Sequence, residues 1–192
     1  MPLDAHADTT DDALLRAYAQ GDSGAARVLT LRLAPRILGH ATRLLRDRAE
    51  AEDVTQEAML RLWRMAPDWH EGEAKVSTWL FRVAGNLCTD RLRRGGRQAP
   101  LEEAGDDPAD DRPGVEAGLI EADRMAALDA ALAQLPDRQR QAVVLRHIEG
   151  LANPEIAQVM DIGVEAVESL TARGKRALAK ALAGRREELG YD

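Results

Sequence analysis

The stretch from Arg97 to Gly114 constrains this chain more than any other. It carries three prolines (Pro100, Pro108 and Pro113) and six acids between Glu102 and Asp111, so it resists continuous helix and has almost nothing apolar to bury. A 192-residue chain interrupted in this way is expected to fold as two short units joined by a tether. Residues 96–114 read as a flexible acidic linker. It is either a solubilising spacer or a phosphate mimic that lies in a basic channel of a partner.

On both sides of the linker the pattern is helical. Apolar residues make up 45% of the chain but aromatics only 3%, with almost no β-branched alternation, which points to an all-α fold. Residues 1–11 read as a disordered tail and 12–95 as the first domain. Asp11 or Asp12 can cap a helix over 13–20, residues 21–24 break it, and a second helix follows over 25–45, with Pro35 marking a kink or a new start. The next helix runs to Met65 and puts Ala51, Val54, Ala58, Leu62 and Met65 on one stripe, with Asp53, Gln56, Glu57 and Leu60 on another. The second face is either a solvated surface with a Glu57–Arg61 ion pair or a docking face. After the loop 67–75, Ser77 can cap a helix over 78–94 with Leu80, Val83 and Leu87 inward, stopped by Gly95–Gly96.

The second domain is expected over 115–192. A helix over 115–134 ends at Pro136, Asp137 can cap a helix over 138–147, and Asn153 followed by Pro154 reads as a cap and first helical position. The three-residue turn Asp161–Ile162–Gly163 then leads into a helix over 164–183 with Val164, Val167, Leu170 or Thr171, Gly174 and Leu178 inward. Helix, short glycine turn and a second helix with a basic C-terminal half form a helix-turn-helix pattern. Gly174 costs about 1 kcal/mol of helix propensity and either permits close packing or is simply tolerated.

Charge distribution separates the function classes. The net charge is −7, yet Arg82–Arg97 holds five arginines against Asp90, and Ser169–Arg186 holds six basic residues and no acid. Phosphate attraction is local, screened beyond roughly 8–10 Å in physiological salt, so two basic faces outweigh the acidic total. No apolar run approaches the roughly 18 residues of a membrane span, and the polar N-terminus is no signal peptide, so membrane insertion is not expected and the compartment is cytoplasmic. A single cysteine, Cys88, excludes an internal disulfide and reads as a buried small hydrophobe. The scattered histidines offer no metal ligand set, and no nucleotide or nucleophile motif occurs, so neither metal, cofactor nor enzymatic activity is expected.

In order and spacing, several segments resemble the sigma-70 family, specifically its small extracytoplasmic-function sigma factors. They are Asp53-Val54-Thr55-Gln56-Glu57 with Leu62-Trp63; Ser77-Thr78-Trp79-Leu80-Phe81-Arg82 with Asn86 and Asp90-Arg91-Leu92-Arg93-Arg94; Leu135-Pro136 to Leu145-Arg146; and Glu149-Gly150-Leu151, Glu155-Ile156-Ala157 and Val167-Glu168-Ser169-Leu170. The likeness covers about residues 12–183. It implies a region 2 helical bundle and a region 4 helix-turn-helix, acting as a bacterial transcription initiation subunit with promoter DNA and core RNA polymerase as partners. Asp53, Gln56, Glu57 and Leu60 would dock on the clamp coiled coil of the β′ subunit, and the β flap is implied as a further polymerase contact. Trp69, His70 and Asn86 would hold bases extruded from the proximal element, with Trp79 either joining them or packing in the core. Arg91, Arg93 and Arg94 would hold phosphates. In the upstream element Glu165, Glu168, Ser169 and Ala172 would face bases, with Arg173, Lys175 and Arg176 on the backbone. Many relatives place an arginine where Glu168 stands; glutamate can accept from cytosine N4 but cannot make the bidentate guanine contact. Kinship also implies an anti-sigma partner and regulation by stress. The competing reading is a free-standing helix-turn-helix regulator, and a third is a polymerase accessory that never reads promoters.

Overall fold

The computed structural model describes residues 9–70, 72, 74–98 and 116–183, with side chains described from 9 to 94 and from 123 to 183. The tail 1–8, the linker segment 99–115 and the stretch 184–192 lie outside the described residues. Among the described residues every regular element is helical, in the order α1 (Asp11–Ala19), α2 (Ser23–Leu45), α3 (Arg48–Met65), a 3-10 turn (Ala66–Asp68), α4 (Val76–Gln98), α5 (Glu116–Ala133), α6 (Asp137–Val143), a π-helical turn (Val144–Ile148), α7 (Asn153–Met160) and α8 (Val164–Leu182). None of these helices is long and apolar enough to cross a membrane.

The first half is a bundle of α1–α4. Thr10, not Asp11 or Asp12, caps α1, its Oγ1 accepting from the Ala13 amide at 3.3 Å. Asp22 caps α2 by accepting from the Gly24 and Ala25 amides at 2.8 and 3.2 Å, and Asp47 caps α3 through the Glu50 amide at 3.0 Å. Each cap satisfies N–H groups that have no partner within the helix. Pro35 does not interrupt α2. It removes the bond to the Leu31 carbonyl, and both Leu31 and Pro35 are exposed, so that carbonyl lies on the solvent side, where its loss of a partner costs least.

The inward stripe of α3 is as expected: Ala51, Val54, Ala58 and Leu62 are buried, with Met65 packed against the core. On α4 the stripe is displaced. Leu80, Phe81, Ala84 and Cys88 are buried whereas Val83 and Leu87 are only half-buried. The helix also starts at Val76, before Ser77, and continues through Gly95 and Gly96 to Gln98. Glycine lowers helix propensity by about 1 kcal/mol but ends a helix only where it turns left-handed.

In the second half α6 gives way to the π turn, closed by the Glu149 amide to the Val144 carbonyl at 3.0 Å. Gly150, at φ +74°, reverses the chain there. Helix assignments begin one residue earlier than the sequence suggests at both caps: Asp137 and Asn153 lie inside their helices, with Pro136 and Ala152 at the N-cap positions. The Glu155 carboxylate accepts the Ala152 amide at 2.8 Å and so closes the start of α7. α7 and α8 meet at Asp161, which is left-handed at φ 53°. Val167 and Gly174 of α8 face inward, but Val164 is exposed.

The two halves share a core. Ala142, Leu145, Leu151, Ile156, Val159, Met160 and Val167 belong to one buried cluster with Leu80, Phe81, Ala84 and Cys88, and α7 packs across α4. Leu132, Leu135, Val143 and Val144 form a smaller cluster of their own.

Candidate functional site

The docking face proposed from sequence is the solvent side of α3. Period 3.6 carries Asp53, Gln56 and Leu60 outward because the alternate stripe is committed to the core, and all three are exposed. Glu57 is half-buried and accepts from Arg61 at 2.8 Å one helical turn on. That hydrogen bond, and after it the charges of Arg61, Arg64 and Arg91, hold its carboxyl below the usual carboxylate range. The face therefore presents fixed negative charge next to an apolar side chain.

Two shallow grooves flank it. One, of about 420 Å³, runs between α3 and α4 and is lined by Asp53, Gln56, Glu57, Leu60, Arg91 and Arg94. The other, of about 510 Å³, lies between α2 and α3 and is more apolar, with Ala34, Leu38, Met59, Leu60 and Trp63 on its walls. Leu31, 58% exposed, stands on the same helix as Ala34 and Leu38. This second groove was missed by sequence reasoning. The signal was the spacing of Leu31 from Leu38, which fits a buried stripe and an exposed one equally well.

The residues expected to engage the proximal element lie just after the 3-10 turn and along α4. Trp69 follows the 3-10 turn, packs against the core and donates its indole N–H to Asp12 at 2.9 Å. It joins that turn to α1. His70 is exposed beside it. Trp79 is half-buried against the core. Asn86 stands ten residues beyond Val76, about 15 Å along α4 at 1.5 Å per residue, and with Arg93 it lines a cleft facing the second half. Asn86, Arg93 and Arg94 are exposed, whereas Arg91 donates to the backbone carbonyl of Glu50 at 2.8 Å and pairs with its carboxylate. The structure thus brings Asn86 and Arg93 together on one cleft wall.

The upstream-element residues share one open surface. Glu165, Glu168, Ser169, Ala172, Arg173, Lys175 and Arg176 are all exposed along α8. Arg173 donates to the Ser169 hydroxyl at 2.8 Å and to the Ser169 carbonyl at 3.3 Å, which folds its guanidinium back along the helix. The inward side of α8 sits tightly on α6: a Cβ at Gly174 would come within 2.5 Å of Val143 Cγ2. Close packing, rather than mere tolerance, accounts for the glycine.

Comparison with known proteins agrees with these elements. The family described as Sigma-70 region 2 matches residues 29–98, which span most of α2 through α4, and the family described as Sigma-70, region 4 matches residues 125–178, from within α5 into α8. The chain is 33% identical over 181 residues to the RNA polymerase sigma-H factor of Pseudomonas aeruginosa, covering 90% of this chain and 93% of that one. It is 30% identical over 177 residues to the ECF RNA polymerase sigma-E factor of Haemophilus influenzae, covering 86% and 92%. Among solved structures it resembles CnrH, determined in complex with the cytosolic domain of CnrY, with a TM-score of 0.65 at 25% identity over 91% of this chain and 97% of that one.

Proposed function

Because the chain belongs to the sigma-70 family of RNA polymerase sigma factors, in its extracytoplasmic-function group, we propose that it binds core RNA polymerase through the outer face of α3 and directs the enzyme to a set of promoters. The observation that carries this reading is the pairing, in one chain and in family order, of a region 2 match over α2–α4 with a region 4 match reaching α8. The chain itself supplies recognition and not catalysis. Asp53, Gln56 and Glu57 offer carboxylate and amide acceptors to an arginine-bearing surface, and Leu60 gives that contact a desolvated centre.

Promoter contacts are divided between the halves. Asn86 and Arg93 on one wall of α4, with Arg94 on its side toward α3, meet the proximal element, where melting requires extruded bases to be held. Arg173, Lys175 and Arg176 neutralise phosphates of the upstream element while Glu165, Glu168, Ser169 and Ala172 face its base edges. Restraint by an anti-sigma partner, released under stress, belongs to the same proposal; a protein partner of some kind is supported by the solved relative CnrH, captured in complex with the cytosolic domain of CnrY.

The experiment is a pull-down with purified core polymerase together with run-off transcription. An Asp53→Ala/Gln56→Ala variant that keeps its helical circular dichroism should lose at least about tenfold in polymerase affinity, as truncation of central interface groups does. Retention at wild-type strength overturns the docking face. Tight promoter binding by the chain alone, unaffected by polymerase, would favour a free-standing regulator.

A further inference from the structure

We infer that α8 reads the upstream element as a hydrogen-bond acceptor: Glu165 and Glu168 each take a hydrogen bond from the N4 amine of a cytosine, in neighbouring base pairs of the major groove. The inference deepens the promoter reading given above and rests on it.

Nothing within the fold accounts for these two carboxylates. Both side chains are exposed, and neither meets an ion-pair or hydrogen-bond partner among the described residues. They stand three residues apart, neighbours of like charge on one helix, an arrangement that weakens it. Glu165 lies in the first turn, where the helix dipole offsets that cost. Glu168 lies further in, where the dipole no longer reaches. Its neighbours one turn away in either direction are Val164, 39% exposed, and Ala172, and neither carries charge.

The cations of α8 are placed elsewhere. Arg173 is folded back onto Ser169, donating to its hydroxyl at 2.8 Å and to its carbonyl at 3.3 Å. Lys175 and Arg176 come seven and eight residues after Glu168, about 10–12 Å along the axis at 1.5 Å per residue, which is past the range of unscreened attraction in physiological salt. The helix is therefore negative where it leads and positive where it trails. The trailing half meets phosphates, but a carboxylate carried into the groove between them is repelled unless a donor receives it.

Few donors are available there. On the major-groove edge only cytosine N4 and adenine N6 offer a hydrogen, whereas guanine N7 and O6 and thymine O4 are acceptors. Adenine sets its N7 acceptor beside the amine, which opposes a carboxylate and suits an amide; cytosine sets only a C–H there. Cytosine is thus the base that glutamate favours. The axial rise from Glu165 to Glu168 is about 4.5 Å, against roughly 3.4 Å between base pairs, so the two carboxylates meet adjacent pairs. The Ser169 oxygen already accepts from Arg173 and its proton remains to donate, so it does not compete for the same amines.

The test uses holoenzyme assembled from core polymerase and the full chain, transcribing a promoter library randomised across the upstream element. Two adjacent base pairs should each favour cytosine over the other bases by about fivefold or more, the low end of what one good base contact supplies. Glu168→Arg should turn one of them to guanine and Glu168→Gln should turn it to adenine, while Glu165→Gln should move the other. Arginine also attracts phosphate, so the readout is the ratio between bases at one position and not total output. In the preferred promoter, N4-methylation of the cytosine under Glu168 keeps its base pair but fills the place of the carboxylate. It should lower wild-type output about fivefold and have no effect in Glu168→Ala. A preference for guanine or thymine at these pairs, or a cytosine preference that Glu168→Arg or Glu165→Gln leaves in place, overturns the inference while the sigma role stands. If no library member is transcribed above the level of core polymerase alone, the sigma reading falls and the inference with it.

Discussion

Gly174 shows how a single hydrogen can position a helix. On propensity alone alanine should be better there by about 1 kcal/mol, yet its Cβ would come within 2.5 Å of Val143 Cγ2 and 3.4 Å of the Gln139 carbonyl oxygen. Since α6 is backed by the Leu132, Leu135 and Val144 cluster, α8 has to move outward, at a cost of about 1–3 kcal/mol for overpacking. Urea denaturation should therefore find Gly174→Ala less stable than wild type by about 1 kcal/mol after the propensity gain, with Val143→Ala added to it recovering part of the loss; an unchanged or raised midpoint refutes the argument. His40 makes a different demand. It is fully buried, edge-on to Phe81 at 5.2 Å between ring centres, and neither of its ring nitrogens has a hydrogen-bond partner. Burial first, and the Arg43 charge second, lower its pKa from 6.5 to about 3. The unfolded chain then takes up a proton below about pH 6.5 that the folded one refuses, so this stability is complete above that pH and is lost as the pH falls toward 3. Between about pH 6.5 and 5, before carboxylates titrate, stability should drop by on the order of 1–2 kcal/mol, and His40→Leu should flatten that slope. Equal slopes in the two proteins would remove His40 as the cause.

At the level of elements, legibility followed locality. The α3 stripe could be read from sequence because Ala51, Val54, Ala58 and Leu62 repeat at the period of one helix, and burial of one face leaves Asp53, Gln56 and Leu60 outward with no further information. The helix-turn-helix was legible for the same reason: the Asp161–Gly163 turn and the basic run of α8 lie within one short segment. What escaped depended on partners elsewhere in the chain. The inward stripe of α4 was misplaced because the face carrying Phe81 and Cys88 is buried partly by α7, some seventy residues on. The anchoring of Trp69 was not legible either: the Asp12 carboxylate that takes its indole N–H is 57 residues earlier. The π turn of Val144–Ile148 leaves no mark in composition, since the same residues form ordinary helix unless a neighbour fixes the extra residue. Here Arg146 donates to the Leu151 carbonyl at 3.0 Å and Glu149 is drawn to Arg36, which together hold the turn in place.

For the molecule as a whole, the sequence suggests two units on a tether, and the structure adds a shared core between them. The difference has a thermodynamic signature. Independent units unfold independently, whereas units whose burial depends on each other unfold together, as long as the coupling exceeds the difference between their own stabilities. Ile156, Val159 and Met160 are buried alongside residues of the first half, and Glu149 is neutralised by Arg36, so unfolding either half exposes apolar surface and strands a charge on the other. Scanning calorimetry of the full chain at neutral pH should accordingly give one endotherm whose van't Hoff and calorimetric enthalpies agree. Glu149→Arg should divide it into two, the region 4 half melting first, because α7, only 8 residues long, packs chiefly across α4 of the first half. Arg36→Glu/Glu149→Arg should merge the two again. Two separated endotherms in the wild-type chain would mean that the halves do not stabilise each other in solution, whatever their side chains reach for.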